Sequence, residues 1–301
     1  MNIGLLVGGK SSEREVSLSS GKAISKALKS LGSNVIILDP INGISSLENE
    51  ILSVDLIFNG LHGGDGENGN VASYLNSLNI PFTGSDEDSS KICMNKDLSK
   101  KMVNEKGIRT PKWIASNKLP PKNQLEGIGL PVIVKPNDQG STIGLSVVKN
   151  INEIDSAFKS ASKYAGSVLF ESFIYGREIT VPVIGSRAFS IVEIVPKNDL
   201  YDYECKYTAG MSKYFCPADI EQNLSDNIKN VALKIHNLLK CRHYSRVDFL
   251  LDRNNRLWFL EINTLPGMTE TSLLPKSLRA DGYTFNDVIK MIINEAININ
   301  D

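Results

Sequence analysis

Residues Ser245 to Gly267, SRVDFLLDRNNRLWFLEINTLPG, restrict the fold of this chain more than any other stretch. They read as a strand, a tight polar turn and a second strand. Phe249, Leu250 and Leu251 on the first strand, with Trp258, Phe259 and Leu260 on the second, mark both as largely buried. Side chains alternate faces along a strand, so Glu261 and Asn263 share one face and Ile262 takes the other. Asp248 on the first strand can converge with them. Two carboxylates and an amide oxygen are hard ligands and suit Mg²⁺, which completes its shell with water and phosphate oxygens. An open, solvated hairpin face is the plain alternative, but buried acids without a counter-charge are costly. The counter-charge is either a metal or Arg246.

Bulk properties exclude several classes. With 301 residues the chain can build two or three modest domains. Lys plus Arg is 33 against 34 Asp plus Glu, a net charge of −1 that does not suggest a nucleic-acid partner. No apolar run approaches the ~18 residues of a membrane span, and Asp55 interrupts the nearest candidate, 51–58. The opening MNIGLLVGG has no positive region of the signal-peptide kind. The four cysteines (Cys93, Cys205, Cys216, Cys241) show no CxxC spacing, which favours reduced thiols in a cytoplasmic protein over a disulfide frame or a zinc site.

The first ninety residues alternate strands and helices, the pattern of a parallel α/β sheet. Strands are predicted at 3–7, 35–38 and 54–58, a helix from about Ser17 stopped by Gly32, and another over 70–78. A long polar helix is predicted over 89–106. Beyond it lie strands at 131–136, 145–148 and 168–171, a helix over 153–164, and strands at 178–184 and 189–195. Residues 196–217 read as a long irregular loop whose tyrosines favour an ordered, closing role. A helix bearing Ile228, Ala232 and Ile235 precedes the hairpin. A last helix begins at Thr284, where Thr284 and Asp287 form a capping box.

Two phosphate motifs match and are rejected. GLLVGGKS at 4–11 fits the P-loop pattern, but Leu5, Leu6 and Val7 are needed as the strand itself, and Glu13 and Glu15 follow at once. GDGENG at 64–69 fits GxGxxG, but residues 60–63 separate it from the strand it should directly follow.

A better phosphate grip lies at 133–144, IVKPNDQGSTIG. An apolar strand ends at Lys135-Pro136. Gly140 and Gly144, with Ser141 and Thr142 between them, let backbone N–H groups approach an anion. Alone, this could be a hairpin turn with a surface lysine. Beside the Asp248, Glu261 and Asn263 set, a nucleoside triphosphate with Mg²⁺ is the economical explanation.

Lys135-Pro136 with its loop, Lys206-Tyr207, Arg246-Val247-Asp248 and the run from Glu261 to Met268 resemble the ATP-grasp ligases. With Glu13 to Ser17 and Leu61-His62-Gly63 added, the chain resembles the D-alanine–D-alanine ligase family from about Gly8 to Pro275. The resemblance implies an α/β (overall α+β) ATP-grasp architecture. A parallel N-terminal domain (1–90) is followed by central (91–175) and C-terminal (176–301) mixed domains that clamp ATP. It implies that Lys96 and Lys135 contact phosphate or adenine, that Glu171 meets the adenine amine, that Phe173 and Ile174 line the base pocket and that Glu178 binds the ribose. Asp248, Glu261 and Asn263 would ligate two Mg²⁺, for which Mn²⁺ can substitute. Glu13 would hold the ammonium of the first D-alanine, Arg246 and the Gly267 N–H the developing oxyanion, and Ser272 and Leu273 the second D-alanine. His62, Lys206 and Tyr207 would complete the cover, with Tyr207, Ser141 and Glu13 as a latch. Taken singly, Glu13, His62, Tyr207 and Lys96 are equally a loop acid, a structural hydrogen bonder, a loop aromatic and part of a solvated lysine face (Lys91, Lys96, Lys100, Lys101). The implied activity is ATP-dependent formation of D-alanyl-D-alanine through a D-alanyl phosphate, by a cytoplasmic homodimer, for peptidoglycan precursors. The family usually shows Gly-Glu-Asp-Gly where this chain has Gly66-Glu67-Asn68-Gly69.

Overall fold

The computed structural model describes residues 1–140, 142–197 and 211–298. In the first sheet, β1 (Asn2–Leu6) lies between β2 (Asn34–Leu38) and β3 (Leu56–Asn59), all parallel. Helix α1 (Arg14–Ser30) makes the β1–β2 crossover, and α2 (Glu48–Leu52) and α3 (Asn70–Ser77) follow. Helix α1 begins three residues before the predicted Ser17, which places Glu13 at its N-cap.

The single helix predicted over 89–106 is two: α4 (Glu87–Met94) and α5 (Lys96–Glu105). Asn95 between them has an extended backbone, and its side chain accepts from the Leu98 N–H at 3.0 Å. Asn competes for its neighbours' backbone donors and so favours a cap over a helix interior.

The second sheet is antiparallel in the order β4-β7-β5-β6: β4 (Trp113–Ser116), β5 (Val132–Pro136), β6 (Ser146–Val148) and β7 (Val168–Ser172). Helices α6 (Lys122–Ile128) and α7 (Ile154–Ala161) accompany it. The sequence pattern does not show β4 or α6. Both are short and bordered by Pro and Gly, so periodicity has too few residues to register.

The third sheet runs β11-β10-β8-β12-β13. Its strands are β8 (Gly176–Ile184), with the two-residue β9 (Arg187–Ala188) at its side, β10 (Val192–Pro196), β11 (Ser212–Phe215), β12 (Tyr244–Asp252) and β13 (Leu257–Asn263). Two predicted boundaries need correction. β10 begins at Val192 rather than 189, because the Ser190 N–H and Oγ turn aside to bond Asp281. The stretch 196–217 is not irregular throughout, since β11 pairs antiparallel with β10. Helix α8 (Gln222–Leu238) packs with α4 and α5 in the core on one face of this sheet.

Helix α9 (Leu273–Ala280) was masked in the sequence by Pro275, which sits in its first turn where no backbone N–H is needed. Helix α10 (Phe285–Asn298) has the expected reciprocal cap between Thr284 and Asp287. Its stripe Val288, Ile289, Ile292, Ile293 and Ala296 buries against Ile24, Ala27 and Leu28 of α1. The C-terminal helix thus returns to the N-terminal unit, and each fully buried large aliphatic there contributes ~1.5–3 kcal/mol. Among the described residues no helix is long and apolar enough to cross a membrane.

Candidate active site

Alternation within each strand and one register shift between them build the hairpin face. Asp248 pairs in register with Glu261, and Arg246 with Asn263, with a β-bulge after Asp248. Asp248 accepts from Arg246 Nε (3.0 Å) and Nη2 (2.8 Å), from Asn263 Nδ2 (2.9 Å) and from Thr180 Oγ1. Arg246 is therefore a counter-charge of Asp248 here, and Lys96 Nζ lies 3.3 Å from Glu261 Oε2. The set also fits a divalent cation. Asn263 gives its N–H to Asp248, which leaves its amide oxygen as the group to offer a metal, next to two carboxylates.

Of these groups, Lys96 and Glu261 line a cleft of about 980 Å³ between the second and third sheets. The cleft is lined by Lys96, Lys135, Glu171, Phe173, Ile174, Glu178 and Glu261, seven of the ten residues predicted for nucleotide or metal; Asp248 and Asn263 are not in its lining, and Lys206 lies outside the described residues. Phe173 and Ile174 lie in the link between β7 and β8, and Leu145 and Val147 add apolar wall. A recess of about 20 Å³, lined by Glu67, Gly140, Glu261 and Asn263, shares Lys96 and Gln139 with the main cleft.

The glycine-rich loop docks on the start of α5. Asn137 accepts from the Asp97 N–H with its side chain (2.8 Å) and from the Lys96 N–H with its carbonyl (3.1 Å). Lys96 Nζ donates to Gln139 O at 2.8 Å, so one ammonium spans the loop and Glu261. The solvated-face alternative fails for two of the four helix lysines: Lys96 is 6% exposed and Lys100 0%.

Glu171 is buried between two of these cations. Lys100 Nζ lies 2.6 Å from its Oε2 and Lys135 Nζ 3.3 Å from its Oε1. Burial pulls the Lys100 amine down to about 8, while both lysines hold the Glu171 carboxyl below the usual carboxylate range against its own burial. Sequence reasoning left Lys100 among solvated lysines. Its i, i+4 spacing from Lys96 was the available signal.

At the other end, the N-terminal unit closes the site. Glu13, 9% exposed, sits between two glycines: a Cβ on Gly63 would lie 2.6 Å from its Oε2, and one on Gly140 would lie 3.1 Å away. Only residues without side chains let the loop after β3 and the glycine-rich loop both approach this carboxylate. His62 Nδ1 lies 3.1 Å from Leu265 O, and its Nε2 3.0 Å from Ser20 Oγ, which also accepts from the Met268 N–H at 3.3 Å. Imidazole and serine thereby tie α1 to the segment that carries Gly267. Ser20 is a site residue that sequence reasoning missed. It faces inward with Ser17, three positions earlier, and both are buried. A Cβ on Gly267 would stand 3.0 Å from Ser272 Oγ, so those two residues are neighbours, while Leu273 turns its side chain into a core with Val192 and Ile194. Asn68, where the family pattern has an acid, accepts from the Asn70 N–H and serves the turn before α3.

Ser141, Lys206 and Tyr207 lie outside the described residues, and with them the predicted latch. The rejected motifs are rejected again by geometry. Gly4, Leu5 and Leu6 are inside β1, and Gly64–Gly66 is a 3₁₀ turn separated from β3.

Two sheets closing on one cleft, with a glycine-rich loop over it and acids on the far strands, define the ATP-grasp ligase class. Residues 96–294 match the family model for the D-ala D-ala ligase C-terminus. A D-alanine–D-alanine ligase of Aquifex aeolicus (strain VF5) is 40% identical over 97% of this chain and 100% of its own length. Ligase B of Clostridium perfringens (strain 13 / Type A) is 40% identical over 99% of both. Among solved structures, the Bacillus anthracis D-alanine–D-alanine ligase complexed with ATP superposes with a TM-score of 0.88 at 31% identity, covering 99% of this chain and 98% of that one. A D-Ala:D-Ser ligase from Enterococcus faecalis superposes at 0.86 with 28% identity, covering 98% and 99%. The chain belongs to the D-alanine–D-alanine ligase family.

Proposed function

We infer that this chain uses ATP to join two D-alanine molecules into D-alanyl-D-alanine, releasing ADP and phosphate, for peptidoglycan precursor synthesis. The observation that carries this reading is one cleft lined by Glu171, Phe173, Ile174, Lys135, Lys96 and Glu261, with Asp248 paired to Glu261 on the hairpin and Gly140 of the glycine-rich loop against Glu13.

A carboxylate resists attack by an amine because its leaving group is hydroxide-like. Transfer of the γ-phosphoryl group to the first D-alanine carboxylate gives an acyl phosphate, and the second D-alanine amine then attacks its carbonyl carbon with loss of phosphate. Lys135 and Lys96 hold the phosphates, and the loop around Gly140 covers them. Glu13 orients the first substrate through its ammonium. Arg246 and the Gly267 N–H face the oxyanion, where preorganised donors act most strongly. The second carboxylate meets Ser272 and the first turn of α9, whose N–H groups lack intrahelical partners. Asp248, Glu261 and Asn263 would hold Mg²⁺, or Mn²⁺ in its place, which neutralises charge on the transferring phosphoryl group. Positioning does much of the rest, since well-oriented reactants reach effective molarities of roughly 10⁵ M or more. The segments 1–90, 91–175 and 176–301 are the functional units, and the protein acts as a cytoplasmic homodimer.

Phosphate release from ATP, measured with D-alanine, L-alanine, D-serine or D-lactate supplied in turn and then with D-alanine mixed with D-serine or D-lactate, tests the reading. D-alanine alone should sustain turnover, with the dipeptide as product. Turnover only on a mixture of D-alanine with D-serine or D-lactate would move the second-site assignment, and no release with any of them would overturn the activity.

A further inference from the structure

Lys100 is fully buried and does not line the cleft. Its ammonium meets three elements at once: Glu171 Oε2 on β7 at 2.6 Å, Thr110 Oγ1 at 2.6 Å, and the Phe259 carbonyl on β13 at 3.4 Å. Thr110 Oγ1 donates in turn to the same carbonyl at 2.9 Å. The Trp113 ring covers the group at 5.8 Å. Packing alone does not call for a charge here, because a methionine would fill the same volume without desolvating an ion.

The charge acts on Glu171. Lys135 reaches that carboxylate from the cleft side and is itself a phosphate ligand in the reading above. Once a nucleotide draws on Lys135, Lys100 is the cation that remains behind Glu171. A carboxylate can only accept hydrogen bonds, whereas a carboxylic acid can also donate one. Adenine presents an exocyclic amine at its 6-position. Hypoxanthine and guanine present a 6-oxo acceptor, which an ionised carboxylate repels.

We propose that Lys100 is a positioning residue for nucleotide choice: from behind the site it pins Glu171 and keeps it ionised, so that the base pocket accepts a 6-amino purine and rejects a 6-oxo one. This rests on the reading of Glu171 as the residue that meets the base. The groups facing the pair from neighbouring elements are Lys135 on β5 and Glu261 on β13. The lowered value of Glu171 agrees with a carboxylate that stays charged at neutral pH despite burial.

The test uses the full chain and its Lys100→Met, Thr110→Val and Glu171→Gln variants, with Lys101→Met as an exposed control. Steady-state KM and kcat are measured with ATP and with inosine triphosphate at pH 6 and pH 8, and folding is followed by unfolding temperature. Lys100→Met should raise KM for ATP roughly tenfold or more, the size of one charge-assisted hydrogen bond, with kcat changed less than threefold. The ATP-over-ITP preference should fall by a similar factor, and further at pH 6, where Glu171 without its rear cation takes up a proton. Lys101→Met should behave as wild type. A folded Lys100→Met that keeps both its ATP KM and its preference overturns the proposal. Should Lys100→Met not fold, Thr110→Val decides: a smaller loss of preference supports the proposal, and an unchanged preference overturns it. Glu171→Gln separates the two readings. If it leaves the preference intact, the assignment of Glu171 fails. If it lowers the preference while Lys100→Met and Thr110→Val do not, Lys100 alone is refuted.

Discussion

Replacing Ser20 by alanine should separate the chemical step from nucleotide binding. Ser20 Oγ is the shared partner of two buried groups, His62 Nε2 at 3.0 Å and the Met268 N–H at 3.3 Å. Alanine leaves both unpaired. An orphaned buried polar group costs ~1–3 kcal/mol, and the longer Met268 bond places its share at the low end, so the total is about 2–4 kcal/mol. At roughly 2–4 °C per kcal/mol for a chain of this size, thermal unfolding should move down by about 4–16 °C. The functional part of the loss falls on the 265–268 segment, whose Gly267 N–H we propose faces the oxyanion. A slackened donor of this kind should lower kcat by roughly 10- to 100-fold, or ~1.4–2.7 kcal/mol of barrier. KM for ATP should stay within twofold, because Ser20 does not line the nucleotide cleft. Ser20→Cys, with a weak donor of similar shape, should recover part of kcat. Differential scanning fluorimetry and steady-state kinetics on the same preparations give both numbers. A Ser20→Ala enzyme with unfolding within 1 °C and kcat within twofold of wild type would show that the relay from α1 to Gly267 positions nothing.

Acid should destabilise the protein through two buried imidazoles. Burial lowers both His236 and His243 to about 4, below the unfolded value of about 6.5, so the unfolded chain binds more protons between those limits. Their contribution is complete above pH 6.5 and is lost as pH falls, by about 2 kcal/mol each at pH 5. His243→Asn suits the positive φ of 61° and can accept from the Gly84 N–H, so it should flatten the melting profile between pH 7.5 and 5; an unchanged slope would refute the assignment. Gly63→Ala places a Cβ 2.6 Å from Glu13 Oε2 at a φ of +65° and should raise KM for the amino acid while leaving ATP binding unchanged, as read by calorimetry. Lys135→Ala should abolish ATP binding and Lys10→Ala should leave it intact, since Lys10 is an exposed loop residue; the reverse result would restore the P-loop reading.

The sequence by itself pointed to most of the candidate site residues and to most of the elements that hold them. Period-2 alternation puts Glu261 with Asn263, and Arg246 with Asp248, on one face of their own strands, but the β-bulge after Asp248, seen only in the structure, brings the two pairs onto the same face. The 3.6-residue stripe of α10 and its Thr284–Asp287 cap were legible for the same reason: both are local. Failures came where a local pattern was outvoted or too short to read. Asn95 ends a polar helix that periodicity would continue, β4 and α6 hold too few residues to show a period, and Pro275 resembles a break although a first helical turn accepts it. Only the tertiary structure decided which polar residues are buried together. Lys96, Lys100 and Lys101 look equivalent along the chain, yet folding gives the first to Glu261, the second to Glu171 and the third to the surface. Ser20 and Met268, 248 positions apart, become direct hydrogen-bond partners in the same way. Such pairings come from the docking of one sheet against another. Burial raises an unpaired polar group's cost by several kcal/mol, and that cost is set by neighbours that are remote in the chain.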